Sequence, residues 1–208
     1  MEQGFVKVAS ATPRIRVADP VYNAQVICEQ AKEAAEHGAK IVVFPELCIT
    51  GYTCNDLFLQ ELLLEKAKEA LLTIAEETGQ LETLFLVGLP VDKDGRLYNV
   101  AAVLYRGRIL GMIPKKNIPM YAEFYEGRHF TPGEETVTEY RLGKQVIPFG
   151  SNLLFRCEEL PELILGCELC EDLWVAEPPS TSHALMGATV IANLSASNET
   201  VSKDDYRT

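Results

Sequence analysis

Ala39-Lys40-Ile41-Val42-Val43-Phe44-Pro45-Glu46 is a short, β-branched apolar run that ends at a proline and meets a carboxylate at once. A run of this kind, without alternation, fits a strand covered on both faces. Upstream, Asp19-Pro20 offers an N-cap and a proline for the first helical position. Val21, Ala24, Val26, Ile27, Ala31, Ala34 and Ala35 then recur at helical spacing as far as His37, and Gly38 fits the stop just beyond a helix. Before that helix, residues 5–11 alternate apolar and polar like a strand. Strand, helix and buried strand in succession predict an α/β layer fold.

Downstream of Glu46 and Gly51-Tyr52, Asn55-Asp56 opens a helical stretch, broken or continuous, that reaches Thr78-Gly79. Residues 84–89, 97–105 and 109–113 read as strands, joined by Asp92-Lys93-Asp94-Gly95 and Arg106-Gly107-Arg108, and predict an antiparallel meander. Lys115 and Lys116 follow. The aromatic-rich stretch from there to Pro132-Gly133 is weakly periodic, and a loop of that length in a compact domain is usually functional. Short strands are expected near 135–140, 144–148 and 153–157. An apolar strand at Ile164-Leu165 turns acidic around Cys167-Glu168-Leu169-Cys170-Glu171-Asp172 and leads to Trp174. A helix at 180–186, a buried strand at 189–194 and a polar helix start within 199–208 complete the reading.

The 208 residues, 47% hydrophobic and 24% charged, suit one compact domain spanning 1–208. A net charge of −11 argues against nucleic acid or an anionic membrane as a partner. No apolar run approaches the ~18 residues that span a bilayer. Six cysteines in a core-rich chain without a signal-peptide pattern read as reduced thiols in a cytoplasmic protein. The sequence stops just after a strand and a helix start, which leads us to expect a domain truncated at its C-terminus.

Three residues share one topological position: Glu46, Lys115 and Cys170 each follow a strand, where ligands gather in open α/β sheets. A thiol, a carboxylate and an ammonium suit hydrolysis of a carbon–nitrogen bond. The thiolate attacks an amide carbonyl, Glu46 moves the proton, and Lys115 offsets the developing oxyanion with help from the Glu171 amide. Other readings of the same residues stay open. Cys167 and Cys170 form a C-x-x-C that could serve redox chemistry or zinc, although Cys48 and Cys54, with five residues between them, do not supply a second zinc pair. Cys28, Cys48 and Cys157 fit inert core positions. His37 reads as a helix C-terminal residue and His129 and His183 as surface or loop residues, one of which could pair with the thiol. No phosphate-binding glycine motif is present.

Val43-Phe44-Pro45-Glu46-Leu47, Lys115 within Pro-Lys-Lys-Asn-Ile-Pro, and Cys170 within Gly-Cys-Glu-Leu-Cys-Glu-Asp-Leu-Trp resemble the nitrilase, or carbon–nitrogen hydrolase, superfamily. Within it, Pro45–Phe58, Met120–Glu126 and Asn193–Ser197 resemble the glutaminase domains of glutamine-dependent NAD synthetases. The resemblance implies a four-layer αββα sandwich with a triad of Glu46, Lys115 and Cys170, and with Glu123 as the second glutamate near the lysine. It places Tyr52, Tyr121, Glu126, Glu171, Ser197 and Lys203 around the substrate glutamine. It also implies hydrolysis of glutamine to glutamate and ammonia, with no cofactor for that step and no metal. The ammonia would feed a synthetase domain that amidates nicotinic acid adenine dinucleotide with ATP and Mg. That domain's Ser-Gly-Gly-x-Asp-Ser loop lies outside this sequence. Self-association is expected by the same resemblance. The rival expectations are a stand-alone amidase acting on a small amide and a catalytically idle assembly module of the same fold.

Overall fold

A computed structural model of the chain describes residues 5–203 and 205. Helix α1, Pro20–Glu36, starts where the capping signal placed it: the Asp19 carboxylate accepts the Tyr22 amide at 3.1 Å, and Pro20 opens the first turn. Its buried stripe of Ala24, Ile27, Cys28 and Ala31 lies against α2, Glu61–Glu77, whose stripe is Leu63, Ala67, Ala70, Leu71 and Ile74. Both helices cover one face of a seven-stranded sheet. Its members are β1 (Val8–Ser10), β2 (Ile41–Val43), β3 (Leu84–Lys93), β4 (Arg96–Tyr105), β5 (Arg108–Pro114), β6 (Thr138–Leu142) and β7 (Gln145–Phe149). The spatial order is β1-β2-β3-β4-β5-β7-β6, parallel through β1, β2 and β3 and antiparallel through β3, β4 and β5.

A second sheet of three strands, β8 (Leu154–Arg156), β9 (Ile164–Leu169) and β10 (Val190–Leu194), is ordered β10-β9-β8. Its inner face carries Leu165, Cys167, Leu169, Ala192 and Leu194. They meet Ile41, Leu86, Ala101, Val103 and Ile113 of the first sheet in a core that excludes water. Helix α3, Pro179–Leu185, covers the outer face against β9. Helices, sheet, sheet and helix make the expected αββα layering. Strand β4 explains the first sheet's central place: one side chain set (Val100, Ala102, Leu104) faces the helices and the other (Ala101, Val103) faces the second sheet. Among the described residues, no helix is long and apolar enough to cross a membrane.

The differences from the sequence reading have local causes. The helical stretch after Asn55 is interrupted: a 3-10 segment at Tyr52–Leu59 kinks at Asn55, whose φ is 49°, and α2 begins only after Gln60. Strand β3 runs on to Lys93, because Asp94 and Gly95 take positive φ in a two-residue hairpin turn that keeps both strands paired to its edge. His183 is not a surface residue. Its ring is fully buried under α3, with Nε2 at 2.9 Å from the Ser151 carbonyl oxygen. It stands so close over β9 that a Cβ at Gly166 would fall 2.8 Å from Nδ1. His183 therefore fastens α3 to the sheet, and only glycine fits beneath it. Of the helix expected within 199–208, residues 203 and 205 are helical, and 204 and 206–208 lie outside the described residues.

Candidate active site

The three strand ends that carry Glu46, Lys115 and Cys170 bring their side chains to one place, where Lys115 bonds to Glu46 and both act on the Cys170 thiol. Glu46 comes first. After β2 the chain turns sharply, with Leu47 in left-handed conformation (φ 53°), and this turn lies directly on β3. A Cβ at Gly88 would sit 2.3 Å from the Leu47 amide nitrogen and 2.7 Å from the Pro45 carbonyl oxygen, so the turn that aims Glu46 inward needs glycine at this point of β3. We expect Gly88→Ala to lose about 3 kcal/mol, or roughly 10 °C in Tm, and to displace Glu46. Thermal unfolding measured alongside activity checks this; an unchanged Tm would mean the turn can shift freely.

Lys115 follows Pro114 at the end of β5. Its amide donates to the Asn99 carbonyl at 2.8 Å, and its carbonyl accepts from the Gly133 amide at 2.7 Å, so the backbone is held on both sides. The side chain is completely buried. An isolated ammonium in such a place would cost several kcal/mol, and it is tolerable here because carboxylates receive it. Nζ donates to Glu46 Oε1 and to Glu126 Oε1, each at 2.7 Å. Burial pulls the Lys115 pKa down, but Glu46, Glu126 and Cys170 outweigh it, so the group stays charged well above the usual lysine range.

Glu126 thus occupies the position that the sequence resemblance assigned to Glu123. The loop explains why. Ala122 takes a positive φ of 50° and Phe124 N–H closes a turn on the Tyr121 carbonyl at 2.9 Å, which leaves Glu123 exposed. Glu126 opens the next 3-10 turn, Glu126–Arg128, and is buried. Besides Lys115, it accepts the Tyr52 hydroxyl at 2.8 Å on Oε1. Tyr52 is half-buried, and desolvation, then Glu126, hold its phenol protonated far above the ordinary range.

Cys170 follows β9 with φ at 43°, a strained conformation for any residue with a Cβ, and is 8% exposed. Burial pushes its thiol up to about 11, and the charge of Glu46 adds to that; Lys115 pulls it back, as do Ser195 and the Ala196 backbone. The resting group is therefore a thiol beside a base. Glu46 is raised above the usual carboxylate range by burial first, opposed by Lys115 and reinforced by Glu126. Its Oε2 accepts the Ala196 amide at 3.1 Å, from the segment just after β10.

Two further residues escaped the sequence reading. Asn99 on β4 is buried and donates from Nδ2 to Glu46 Oε1 at 2.7 Å. Its signal was a lone amide in an otherwise apolar buried strand. Asp172 accepts the Leu169 and Lys116 amides on Oδ2, at 3.1 and 3.4 Å, and the Asn117 amide and side chain on Oδ1, at 2.7 and 2.8 Å. It ties the turn carrying Cys170 to the segment that follows Lys115. Within a run of Glu168, Glu171 and Asp172, nothing in the sequence marked it out. Cys167 belongs to the core between the sheets, facing away from any shared site with Cys170.

The remaining expected residues lie on the outer side. The Tyr121 hydroxyl donates to Glu171 Oε2 at 2.8 Å, with Tyr121 largely exposed. Lys203 Nζ donates to Ser197 Oγ at 2.8 Å. Ser195, which was not among the expected residues, eases deprotonation of the Cys170 thiol.

The Carbon-nitrogen hydrolase family profile matches residues 7–206. The chain belongs to the carbon–nitrogen hydrolase family. Among its relatives, the glutamine-dependent NAD(+) synthetase of Mycobacterium bovis is 41% identical over 206 residues, 99% of this chain and 30% of that protein. The corresponding synthetase of Thermotoga maritima is 35% identical over 186 residues, 89% of this chain and 29% of that protein. The chain therefore spans about 30% of the length of these relatives. The crystal structure of a glutamine-dependent NAD(+) synthetase from Cytophaga hutchinsonii superposes with a TM-score of 0.86 at 29% identity, over 97% of this chain and 32% of that one. An amidase from Nesterenkonia sp. AN1, at 19% identity and TM-score 0.74 over 96% of this chain and 68% of that one, shares the carbon–nitrogen hydrolase fold.

Proposed function

We propose that this chain is a glutamine amidohydrolase unit that supplies ammonia to a synthetase domain making NAD. The observation that carries the reading is a buried lysine clamped by two carboxylates beside a strained thiol, in a chain whose relatives are named glutamine-dependent NAD(+) synthetases.

Burial pushes the Cys170 thiol up to about 11, which favours a resting thiol whose deprotonation is coupled to attack. Glu46 takes the Cys170 proton as Sγ bonds to the glutamine δ-carbonyl carbon. Lys115 Nζ and the Glu171 amide receive the developing oxyanion. Glu46 then returns the proton to the leaving nitrogen, and ammonia departs, leaving a thioester. Water, deprotonated by Glu46, attacks that thioester and releases glutamate, with the thiol reformed by the same proton. Glu126 holds Lys115 and is itself held by Tyr52. Glu171, with Tyr121 on its rim, is the anionic group at the mouth suited to the α-ammonium of glutamine, and Ser197 and Lys203 suit its carboxylate. No cofactor enters this step. ATP and Mg belong to the synthetase partner, and self-association of the domain is part of the same reading.

The test is ammonia and glutamate release from glutamine, run beside a panel of small aliphatic amides. Glutamine turnover is expected. Turnover of small amides without glutamine would replace this reading by a stand-alone amidase. Failure of a glutamine-like diazoketone to label Cys170 stoichiometrically would mark an idle module.

A further inference from the structure

We propose that Asn99 is a positioning residue that holds Glu46 and Glu126 side by side on Lys115 and thereby sets the pH range in which Glu46 works as a base. This rests on the catalytic reading above.

Two carboxylates share one buried cation, Lys115. Their mutual repulsion in a low-dielectric site favours protonating one of them, and a protonated Glu46 cannot accept the Cys170 proton. Asn99 is the other side chain that bridges the pair. Nδ2 lies 2.7 Å from Glu46 Oε1 and 3.4 Å from Glu126 Oε2, so its two hydrogens serve both anions. The residue is 0% exposed, and its own backbone carbonyl accepts the Lys115 amide, so amide and ammonium are fixed relative to each other. The orientation is informative. Asn99 Oδ1 is buried with no partner among the described residues, an unfavourable arrangement that the reverse orientation would make worse by turning the oxygen onto two carboxylates.

The groups facing Glu46 are Lys115 from the end of β5, Asn99 from β4, the Ala196 amide after β10, Cys170 after β9, Glu126 from the loop and, through its contact with Glu126, the protonated Tyr52 phenol from the 3-10 segment. Among them, Lys115 and Asn99 favour its ionised side chain by hydrogen bonding, whereas burial and Glu126 oppose it. An amide is suited to the place. A second cation would also hold the pair, but would lower the basicity that Glu46 needs. An aspartate of the same shape would add a third anion.

The experiment follows site-specific alkylation of Cys170 by iodoacetamide as a function of pH, read by mass spectrometry, in the full chain and in Asn99→Leu and Asn99→Asp, with thermal unfolding of each. Losing the donor raises the pKa of Glu46, so the acid limb of the labelling profile is expected to move up by about one pH unit in Asn99→Leu. It should move further in Asn99→Asp, with the wild-type rate recovered on the alkaline side in Asn99→Leu. A uniform fall in rate with an unmoved limb in either folded variant would overturn the inference, and so would unfolding of both. If wild-type Cys170 neither labels nor releases ammonia from glutamine, the catalytic reading fails and takes this inference with it. A wild type that labels with unshifted variants sinks the inference alone.

Discussion

Cys170→Ala is expected to lower glutamine hydrolysis by roughly 10⁴- to 10⁶-fold while leaving the fold intact. The covalent route disappears with the sulfur, and nothing else at the strand ends can replace it. Ser195, the hydroxyl that bears on the thiol, sits in the exposed segment after β10, where it bonds to Asn193 Oδ1 at 2.6 Å. The fold should survive because alanine keeps the Cβ that the φ of 43° already accommodates, and only one small atom leaves a site at the protein surface side of the core. Cys170→Ser is the sharper comparison. Its hydroxyl preserves shape but is far harder to deprotonate than a thiol that already needs Glu46 to lose its proton. Both variants should therefore be inactive, with Tm within a few degrees of wild type. Ammonia release, single-turnover thioester trapping and thermal unfolding measure the three points. Residual activity above about one hundredth of wild type in Cys170→Ala would remove the nucleophile assignment.

How much of this was legible beforehand depends on the range of each signal. The α/β layering and the three strand ends are local: a proline or an acidic turn directly follows a buried run, and Glu46, Lys115 and Cys170 stand at those ends. Their convergence could be inferred because strand ends in one sheet arrangement face the same side. Glu126 was placed beside the substrate and Glu123 beside the lysine, because the loop gives no period from which to tell which glutamate turns inward. The positive φ of Ala122 decides it, and no pattern in the sequence announces that at an alanine. His183 was misread for a related reason. A seven-residue helix has too few turns to reveal its buried face, and the partner that makes room for the ring, Gly166, lies on β9. Asn99 acts through partners far off in sequence, and so does Asp172 apart from the nearby Leu169 amide, so each looked like an isolated polar residue. Gly88 is the clearest case, since its role exists only where the Glu46 turn crosses β3.

Lys115→Met separates the catalytic duty of the lysine from its structural one. Methionine fills similar volume without charge, so the change leaves Glu46 and Glu126 buried, facing each other and without their cation. Breaking a buried pair from one side typically costs about 3–5 kcal/mol, far more than the pair contributes over an apolar replacement. The Asn99 amide and the Tyr52 hydroxyl remain as donors but carry no charge. The sign of the pH response follows. Glu46 is already raised above its ordinary value of 4.5 by burial, and without Lys115 it rises further. The folded variant then binds a proton that the unfolded chain does not, so stability increases as pH falls from the raised value toward 4.5. A salt-bridged carboxylate with a depressed pKa behaves in the opposite way. Activity should fall by at least about 10³-fold at every pH, because the oxyanion loses its cation and the proton acceptor is neutral where the fold is most stable. Adding Glu126→Gln removes one of the two orphaned charges. The double variant should regain much of the stability and flatten its pH dependence, yet stay inactive, a coupling that a double-mutant cycle of unfolding free energies measures directly. If the single variant were as stable as wild type at pH 8, Lys115 would not be holding two ionised carboxylates, and the charge assignment of the whole site would have to be redrawn.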